Sequence, residues 1–508
     1  MNVLTTLIRT ARRRTKQVAI RSGDRELTYG EILDVGARFA EYLRRGGLKP
    51  GDRVGIYMPN EPEWLPAIVG IWQAGGVVVP FNYLFSPSAL RHAALDSGSR
   101  WVFALASDVR RLRITLEGTE LAERIITLTP ADGALCSFAE ATSGPPATTI
   151  APRLDGDDAL LMYTSGSTGT PKGVRQTHRN TIAESEGVID VFNLDTDDHA
   201  LVSTPLFHVG GLQLMVMPML LAGATMTLRR WNVSEWVGDV TTLRPTVAAI
   251  VPTMMIDIVN LLGEEHRDLD SLRVIMVGGS AMPQARLKTF TALTGVVPVN
   301  IYGQTEQSGL SVCERLDEER RYGSLGRPLE QIVEIQIVPV DSSTPLPPGA
   351  DEVGELWVRG DAVTPGYWNL PEVNERKWRD GWFRTTDLVR EAPDGYLYYV
   401  ERADDMIISG GENIYPQMVE GHLQACPLIA DVAVIGTPHE RYTEQVTAIV
   451  VPAKPETTAQ DIAEYCQNQP DLRGLQRPRR IEIVDAIPRT GTNKIDKPAL
   501  KARFSGGE

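Results

Sequence analysis

The chain has 508 residues, which exceeds one ordinary domain and suffices for more than one buried core. Its 51 basic and 65 acidic side chains give a formal net charge of −14, which argues against nucleic acid as a partner. The 4 cysteines form no C-x-x-C pair, as expected in a reducing cytoplasm, and they exclude a disulfide framework or a zinc site. No stretch approaches about eighteen uncharged apolar residues, so we predict no membrane span and a cytoplasmic location.

Strands and helices alternate along most of the chain. The apolar spacing predicts helices over 3–16, 31–45 and 64–73, and strands over 53–58, 77–80, 101–104 and 125–128. This alternation is typical of parallel βαβ units in covered sheets. The segment 132–155, rich in Ala, Pro, Gly and Thr, predicts a surface connection.

The middle of the chain predicts further strands over 159–162, 201–205, 247–251, 273–277 and 297–302. Most of them end in a polar or glycine-rich turn. Because ligands bind beyond the carboxyl ends of parallel strands, we expect these turns to meet at one crevice. Shorter strands between 322 and 357 indicate a smaller β element.

After the charged stretch 401–405, about a hundred residues have an α+β pattern, which is enough for a separate domain. We therefore predict an α/β protein. A large N-terminal domain, 1–402, contains parallel βαβ-type sheets and the small β element, and a small mobile α+β C-terminal domain spans 403–508.

The segment 163–174, with the sequence YTSGSTGTPKGV, has the composition of a loop rather than of a helix or strand interior. Its glycines let the backbone approach a ligand closely, and its hydroxyls and successive N–H groups favour an anion. Lys172 adds a mobile positive charge suited to phosphate. A Walker-type loop requires Gly, four residues and then Gly-Lys-Ser/Thr, a spacing that is absent here. The segment predicts a phosphate cradle, with a plain surface loop as the alternative.

This segment closely resembles the phosphate-binding signature of the adenylate-forming superfamily, which contains acyl-CoA synthetases, adenylation domains and luciferases. Residues 302–306, with the sequence YGQTE, resemble its second signature, and Asp387 with Arg402 resembles its ribose-binding pair. The resemblance extends over nearly the whole chain and favours the acyl-CoA ligase branch. It implies ATP or an acyl-AMP, Mg²⁺ and coenzyme A as cofactors.

The resemblance also implies the residues that bind the nucleotide. Tyr302 is expected to stack on adenine, and Asp387 to accept from the ribose hydroxyls. The full set is Thr164, Ser165, Gly166, Ser167, Thr168, Gly169, Lys172, Gly279, Ser280, Ala281, Tyr302, Gly303, Gln304, Asp387, Tyr399 and Arg402.

The expected catalytic residues are Lys494, Thr305, Glu306 and His208. Lys494 resembles the family's mobile lysine, which stabilises charge between the carboxylate and the α-phosphate. Thr305 is expected to donate to a phosphate oxygen and Glu306 to bind the metal, Mg²⁺. Asp404 matches the hinge, and the expected pantetheine contacts are Ser409, Gly410 and Gly411.

His208 resembles the family's gating histidine and indicates the kind of acid. Amino-acid adenylation domains have Phe-Asp at this place, whereas Phe207 and His208 are followed here by valine and glycine, without an acid. The resemblance therefore implies an acid with an uncharged tail. The expected acyl pocket consists of Val209, Gly210, Met215, Met254, Gly278, Gly309 and Leu310.

Two residues depart from the family pattern, because Asn493 and Thr386 each replace a glycine. Asn tolerates a left-handed backbone at a cost of roughly 1 kcal/mol or less, whereas a β-branched Thr tolerates it badly. We therefore keep the alternative that adenylation is weakened while thioester formation from a supplied acyl-adenylate is retained.

Together these features predict an acyl-CoA ligase for a hydrophobic carboxylic acid, with room for a bulky one. An acyl-AMP ligase that loads an acyl carrier protein is an alternative, and a non-catalytic acid- or adenylate-binding protein is another. The expected partners are a small-molecule acid and CoA. The oligomeric state stays open, with a homodimer as one alternative.

Overall fold

The computed structural model describes residues 2–164, 170–280, 284–340, 342–469, 472–489 and 495–504. The chain divides into two compact units. The first contains Met1–Gly166, Thr170–Glu334 and Val358–Phe383, and the second contains Ile335–Trp357 and Arg384–Glu508.

The helices of the described residues are α1 (Val3–Arg12), α2 (Tyr29–Arg45), α3 (Trp64–Gln73), α4 (Pro87–Ser97), α5 (Val109–Thr115), α6 (Phe138–Ala141), α7 (His178–Phe192), α8 (Val209–Gly211), α9 (Met217–Ala222), α10 (Val233–Leu243), α11 (Pro252–Leu262), α12 (Gln284–Thr294), α13 (Pro371–Lys377), α14 (Pro416–Gln424), α15 (Ala459–Gln467) and α16 (Lys497–Phe504).

The strands of the same residues are β1 (Val18–Ser22), β2 (Arg25–Thr28), β3 (Arg53–Tyr57), β4 (Val77–Pro80), β5 (Ser99–Ala104), β6 (Ile125–Thr127), β7 (Cys136–Ser137), β8 (Asp158–Thr164), β9 (Lys172–Thr177), β10 (His199–Val202), β11 (Thr225–Leu228), β12 (Val247–Ile250), β13 (Val274–Gly278), β14 (Val299–Tyr302), β15 (Val312–Cys313), β16 (Arg327–Pro328), β17 (Glu334–Val338), β18 (Val353–Arg359), β19 (Trp378–Arg379), β20 (Trp382–Glu391), β21 (Leu397–Arg402), β22 (Ile407–Ser409), β23 (Glu412–Ile414), β24 (Ile429–His439), β25 (Thr443–Pro452) and β26 (Arg480–Ile483).

The first unit contains two large sheets with mainly parallel interiors. One has the order β16-β15-β14-β13-β12-β10-β11-β1-β2, and its strands from β14 to β1 run parallel. The other has the order β7-β6-β5-β3-β4-β8-β9 and is parallel up to β8. Buried apolar strands such as β4 and β12 favour this arrangement, because parallel sheets are covered on both faces.

The second unit is smaller and mainly antiparallel. Strand β20 continues into it from the first unit and pairs with β21, and the hairpin β24–β25 is the centre of another sheet. Helices α14 and α15 pack on that sheet through Val419, Leu423 and Ile462, which are buried in one cluster with Val432 and Val450 of the hairpin. In the described residues, no helix combines the length and the apolar character needed to cross a membrane.

The predicted α/β class is confirmed, and α3 and β4 have the predicted bounds. Two local predictions are wrong. The cradle segment is not a loop throughout, since β8 ends at Thr164 and β9 begins at Lys172, and these two residues pair across the hairpin. The segment 132–155 contains β7 and α6, because Phe138 is buried there.

The division into units does not coincide with the predicted domain boundary, because it groups 335–357 and 384–402 with the C-terminal residues. The two units are defined by the packing of the chain, whereas the predicted boundary separates the C-terminal residues that are expected to move from the rest of the chain. The boundary after residue 402 therefore stays a prediction.

Candidate active site

Four neighbouring strands of the nine-stranded sheet end at one edge. β10, β12, β13 and β14 lie side by side and run parallel, so their carboxyl ends point in the same direction. The segment with His208 follows β10, the turn at Gly278 follows β13, and Tyr302 ends β14. The strand order places these segments at a common edge, and such edges are the usual ligand sites of α/β sheets. Their meeting at one crevice stays a prediction.

The turn after β13 needs its two glycines for backbone reasons. A Cβ atom at Gly278 would lie 2.5 Å from the carbonyl oxygen of Ile301 on the neighbouring strand. Gly279 has a φ of +87°, which L side chains rarely adopt. Gly279 and Ser280 are exposed, and Ala281 lies outside the described residues. The nucleotide contacts of this turn, and the pocket role of Gly278, stay predictions.

The second signature forms a tight turn that holds its polar residues in place. The amide of Gly309 donates to the carbonyl of Gln304 over 3.1 Å, and Thr305 and Glu306 lie within the turn. A Cβ atom at Gly303 would lie 2.2 Å from the carbonyl oxygen of Gly309, so only glycine fits there. This hydrogen bond and this close approach define the backbone turn that carries the residues expected to contact phosphate and metal.

The Glu306 carboxylate has a partner that the sequence did not reveal. The hydroxyl of Tyr367 donates to Glu306 Oε1 over 2.6 Å, and the amide of Thr364 donates to the Glu306 carbonyl over 2.9 Å. The described residues contain no group of three or more His, Cys, Asp or Glu side chains placed for a metal. A single carboxylate fits Mg²⁺, which is commonly bound by one or two carboxylates together with substrate phosphates.

Tyr367 also connects this turn to the cradle. The Lys172 ammonium lies 5.9 Å from the centre of the Tyr367 ring, and Tyr367 forms a backbone bridge with Val174. The amide of Trp368 donates to the carbonyl of Gly173 over 2.7 Å. The structure thus brings Lys172 and Glu306 to the same tyrosine, while Ser165, Gly166, Ser167, Thr168 and Gly169 lie outside the described residues. The only sign of Tyr367 in the sequence was that it forms an aromatic pair with Trp368 after a Pro-Gly dipeptide.

His208 begins the segment expected to line the acyl pocket. Its Nδ1 accepts from the amide of Gly210 over 3.3 Å, so the ring caps the short helix α8. Val209 and Leu310 are buried, and Met215 lies in a π-helical turn, Leu212–Val216. Such turns are rare and frequently mark functional sites. Met254 packs in the core beneath the sheet, and its place in the pocket stays a prediction.

A buried acid next to this segment was missed by the sequence interpretation. Glu184 on α7 is fully buried, and its Oε1 would lie 3.3 Å from a Cβ atom at Gly309. Burial raises the pKa of Glu184 well above its usual value. The helical spacing of α7 alone predicts which positions face inward, but a glutamate in the middle of a helix is usually exposed.

In the second unit, the two residues predicted to bind ribose lie on adjacent strands. Asp387 on β20 pairs with Arg402 on β21, and Arg402 Nη1 donates to Asp387 Oδ1 over 3.1 Å. Asp387 is buried, whereas the Arg402 side chain is partly exposed. Tyr399 lies on the same strand as Arg402 and pairs with Val389. The structure brings these predicted residues together, and their contact with ribose stays a prediction.

Thr386, which replaces a glycine of the family pattern, has a left-handed backbone conformation. Its φ is +63°, in the left-handed region that a β-branched residue rarely occupies. Its hydroxyl oxygen accepts from Arg402 Nη2 over 2.6 Å, and its amide donates to Glu355 Oε1 over 3.0 Å. These contacts offset strain of about 1–2 kcal/mol and tie Thr386 to the arginine of the pair.

The expected pantetheine contacts form a two-residue hairpin turn between β22 and β23. Gly410 and Gly411 have φ values of +59° and +85°, as this type of turn requires, and Ser409 is buried. The turn geometry alone explains both glycines. Asp404 is exposed, with Oδ2 3.6 Å from Arg402 Nη2. Lys494 and Asn493 lie outside the described residues, and the roles of all these residues stay predictions.

Two family models match the chain. The model described as AMP-binding enzyme matches residues 7–368, and the model described as AMP-binding enzyme C-terminal domain matches residues 418–494. The chain is 36% identical over 500 residues to a feruloyl-CoA synthase of Amycolatopsis sp, covering 98% of each chain. It is 31% identical over 503 residues to the long-chain-fatty-acid–CoA ligase FadD13 of Mycobacterium tuberculosis, covering 95% of this chain and 94% of the relative.

Two solved structures are similar to this chain over at least 99% of its length. ATP-bound MatB from Rhodopseudomonas palustris has a TM-score of 0.91 at 26% identity, covering 100% of this chain and 99% of that one. An anthranilate CoA ligase in complex with anthranoyl-AMP has a TM-score of 0.88 at 26% identity, covering 99% and 97%. The chain therefore belongs to the family of AMP-binding enzymes, on its acyl-CoA ligase branch, and it is an ATP-dependent, AMP-forming acid–thiol ligase.

Proposed function

We propose that this ligase activates a carboxylic acid with a bulky, mainly apolar body and transfers it through an acyl-adenylate to the thiol of CoA. The observation that carries the proposal is the segment after β10. Val209 is buried there, a Cβ atom at Gly210 would meet only His208 Nδ1, at 3.6 Å, and no acid follows Phe207 to pair with an ammonium group. An apolar pocket with few polar groups is typical of a site for such a ligand.

The names of the relatives support an acid of this kind. One relative is a feruloyl-CoA synthase and another is a long-chain-fatty-acid–CoA ligase, and both names denote acids with large apolar parts. The anthranilate ligase was solved in complex with anthranoyl-AMP, which supports the same kind of intermediate here. We infer that a carboxylate and ATP give the acyl-adenylate and pyrophosphate, and that the CoA thiol then displaces AMP.

Different residues of this chain are proposed to act in the adenylation step and in the transfer to CoA. Lys172 and Thr305 are proposed to bind phosphate oxygens, and Lys494 to stabilise the charge that grows between the carboxylate and the α-phosphate. Mg²⁺, when bound at Glu306, would neutralise the charge of the phosphates. Asp387 and Arg402 are proposed to orient the ribose. Ser409 and its neighbouring glycines are proposed to border the pantetheine in the second step.

A screen of carboxylic acids for ATP-dependent CoA thioesters, read by mass spectrometry, tests this function. We expect products from aromatic or long-chain acids, and none without ATP. Acid-dependent pyrophosphate exchange together with CoA consumption from preformed acyl-AMP separates the two steps. Thioester formation without exchange would instead indicate weakened adenylation. Products on an acyl carrier protein but not on CoA would indicate the carrier-loading alternative, and no turnover with any acid would refute the proposal.

A further inference from the structure

Gln176 has a fully buried side-chain amide and lies in strand β9, which begins at Lys172. Its side-chain nitrogen donates to the backbone carbonyl of Thr305, in the turn 303–309 of the second signature. Because a carbonyl oxygen only accepts, this contact fixes which end of the amide faces the turn. The amide oxygen of Gln176 is therefore the end that accepts hydrogen bonds from other groups.

Two buried side chains from different segments donate to that oxygen. The hydroxyl of Ser308 lies 2.6 Å from Gln176 Oε1, and Gln213 Nε2 lies 3.1 Å from it. Ser308 follows the short helical turn Thr305–Gln307, whereas Gln213 belongs to the π-helical turn Leu212–Val216. One amide thus connects strand β9, the turn of the second signature and the π-helical turn, and all three side chains are fully buried.

The backbone of Ser308 shows why this turn needs support. Its φ is +60°, in the left-handed region that residues other than glycine seldom occupy, and such a conformation persists only where the surroundings hold it. The Ser308 hydroxyl has two acceptors, Gln176 Oε1 and the Ala362 carbonyl at 2.7 Å. Without the Gln176 amide, the Thr305 carbonyl would lose a donor inside the core, which is unfavourable. We therefore expect the turn to rearrange when this amide is removed.

We propose that Gln176 is a positioning residue for the adenylation step, and that it holds the backbone of Thr305 and Glu306 in the orientation that their contacts with phosphate and metal require. Gln213 contributes by holding the oxygen end of the same amide. The inference rests on the proposed function, because Thr305 and Glu306 are themselves proposed to act on the phosphates and the metal. Small displacements matter in such a site, since a shift of about 1 Å can lower a rate about 100-fold.

Gln176→Met tests this role, because methionine has a similar length and forms neither of these hydrogen bonds. We expect acid-dependent pyrophosphate exchange to fall about 10- to 100-fold, as the loss of one or two hydrogen bonds and a displaced turn would give. CoA consumption from preformed acyl-AMP should fall less than about 3-fold, because pyrophosphate has already left in that step. The ratio of the two rates in one preparation does not depend on how much of the protein is folded, so it separates positioning from a purely structural role.

Gln73→Met is the matched control. Gln73 is also a buried glutamine of the first unit, and its Nε2 donates to the carbonyl of Ala147 over 3.1 Å, outside the predicted site. We expect this variant to keep the wild-type ratio of the two rates, even where its stability is lower. An unchanged ratio in Gln176→Met, or the same change of ratio in Gln73→Met, would overturn the proposal.

Gln213→Met tests the second contact. We expect a smaller loss of exchange than in Gln176→Met, and the double variant should be no worse than Gln176→Met alone, because Gln213 acts through the same amide. Losses that add in the double variant, or no loss in Gln213→Met, would refute the contribution of Gln213.

ATP binding distinguishes a failure of this inference from a failure of the proposed function. A wild type that turns over no acid would refute the proposed function, and calorimetry with ATP and Mg²⁺ would then test the inference by itself. Weaker ATP binding in Gln176→Met than in Gln73→Met would support the positioning role, and equal binding in the two variants would overturn it.

Discussion

Tyr367 is the residue through which the cradle and the second signature meet. Its hydroxyl donates to the Glu306 carboxylate, its ring lies beneath the Lys172 ammonium, and its backbone bridges to Val174. A hydrogen bond to a charged group contributes about 1.5–3 kcal/mol, and it also fixes the direction of the carboxylate. We therefore assign Tyr367 a positioning role for Glu306 in the proposed adenylation step.

Replacing Tyr367 by phenylalanine tests that role. Tyr367→Phe keeps the ring over Lys172 but removes the hydroxyl, so we expect acid-dependent pyrophosphate exchange to fall about 10-fold, in line with the loss of one such hydrogen bond. CoA consumption from preformed acyl-AMP should change less. Tyr322→Phe, at an exposed tyrosine with Lys288 over its ring, serves as the control. Exchange at the wild-type rate in Tyr367→Phe would contradict the assignment.

Thr386 combines an unfavourable backbone conformation with a contact to Arg402. Thr386→Val retains the β-branched side chain and removes the hydroxyl, so it isolates the hydrogen bond from the strain. We expect the KM for ATP to rise about 10-fold, because Arg402 loses one of its acceptors beside Asp387. Thr386→Ser keeps the hydroxyl and should retain the wild-type value. Equal KM values for the two variants would contradict a role for this contact.

Helix α7 shows how one element serves both stability and the site. Thr177 caps it, since its side chain accepts from the amide of Asn180, and Asn193 ends it in a left-handed conformation. These local signals are those of a well-formed helix. Its buried face carries His178 at the start and Glu184 near Gly309.

His178 makes the stability of the first unit depend on pH. Its ring is buried against Trp72, with 6.0 Å between ring centres, and burial together with the positive charge of Arg153 lowers its pKa to about 4. Between this value and the ordinary one of about 6.5, the unfolded chain binds a proton that the native protein does not. Stability is therefore lost as the pH falls through this window, by about 2 kcal/mol at pH 5.

Urea unfolding at pH 7 and pH 5 measures this effect. We expect His178→Gln to reduce the difference in unfolding free energy between the two pH values by about 2 kcal/mol, because glutamine does not titrate. His92→Gln, which replaces a histidine that is only half-buried, is the control. An unchanged pH dependence in His178→Gln would show that other groups cause it.

Lys497, whose side chain is 12% exposed, connects helix α16 to the rest of the second unit. Lys497 Nζ lies 3.4 Å from Glu420 Oε1 and 3.8 Å from Glu401 Oε2. Lys497→Met would leave two carboxyl groups buried without their cation, a change that typically costs about 3–5 kcal/mol. We expect the free energy of unfolding to fall by this order in urea titrations at pH 7. Lys501→Met, one turn later and more exposed, should cost less than about 1 kcal/mol, and equal losses would contradict the distinction.

At the scale of the whole molecule, the chain consists of two compact units, and each contains some of the predicted site residues. Glu306 and Lys172, which are proposed to act on the phosphates and the metal, belong to the first unit, whereas Asp387 and Arg402, which are proposed to orient the ribose, belong to the second. The predicted hinge at Asp404 assigns the change between the two half-reactions to a rotation of the C-terminal residues.

Asp404→Pro tests the hinge by restricting its backbone, since proline fixes φ near −65°. We expect one half-reaction to be retained and the other to fall at least about 10-fold, because a single orientation serves only one of them. Pyrophosphate exchange reports the first step, and CoA consumption from preformed acyl-AMP reports the second. Asp404→Ala should support both. Wild-type rates of both steps in Asp404→Pro would refute the hinge.

The sequence by itself determined the α/β class, most strand positions and the family, because periodicity and signature motifs are local properties of the chain. It could not reveal the strand at Lys172, since a glycine-rich segment pairs only when β8 provides a partner. Nor could it reveal Tyr367 or Glu184, which are separated in sequence from Glu306 and Gly309. The hydrogen bond of Tyr367 to Glu306 and the burial of Glu184 depend on contacts that only the tertiary structure decides, because the same side chain is solvated on a surface and desolvated in a core.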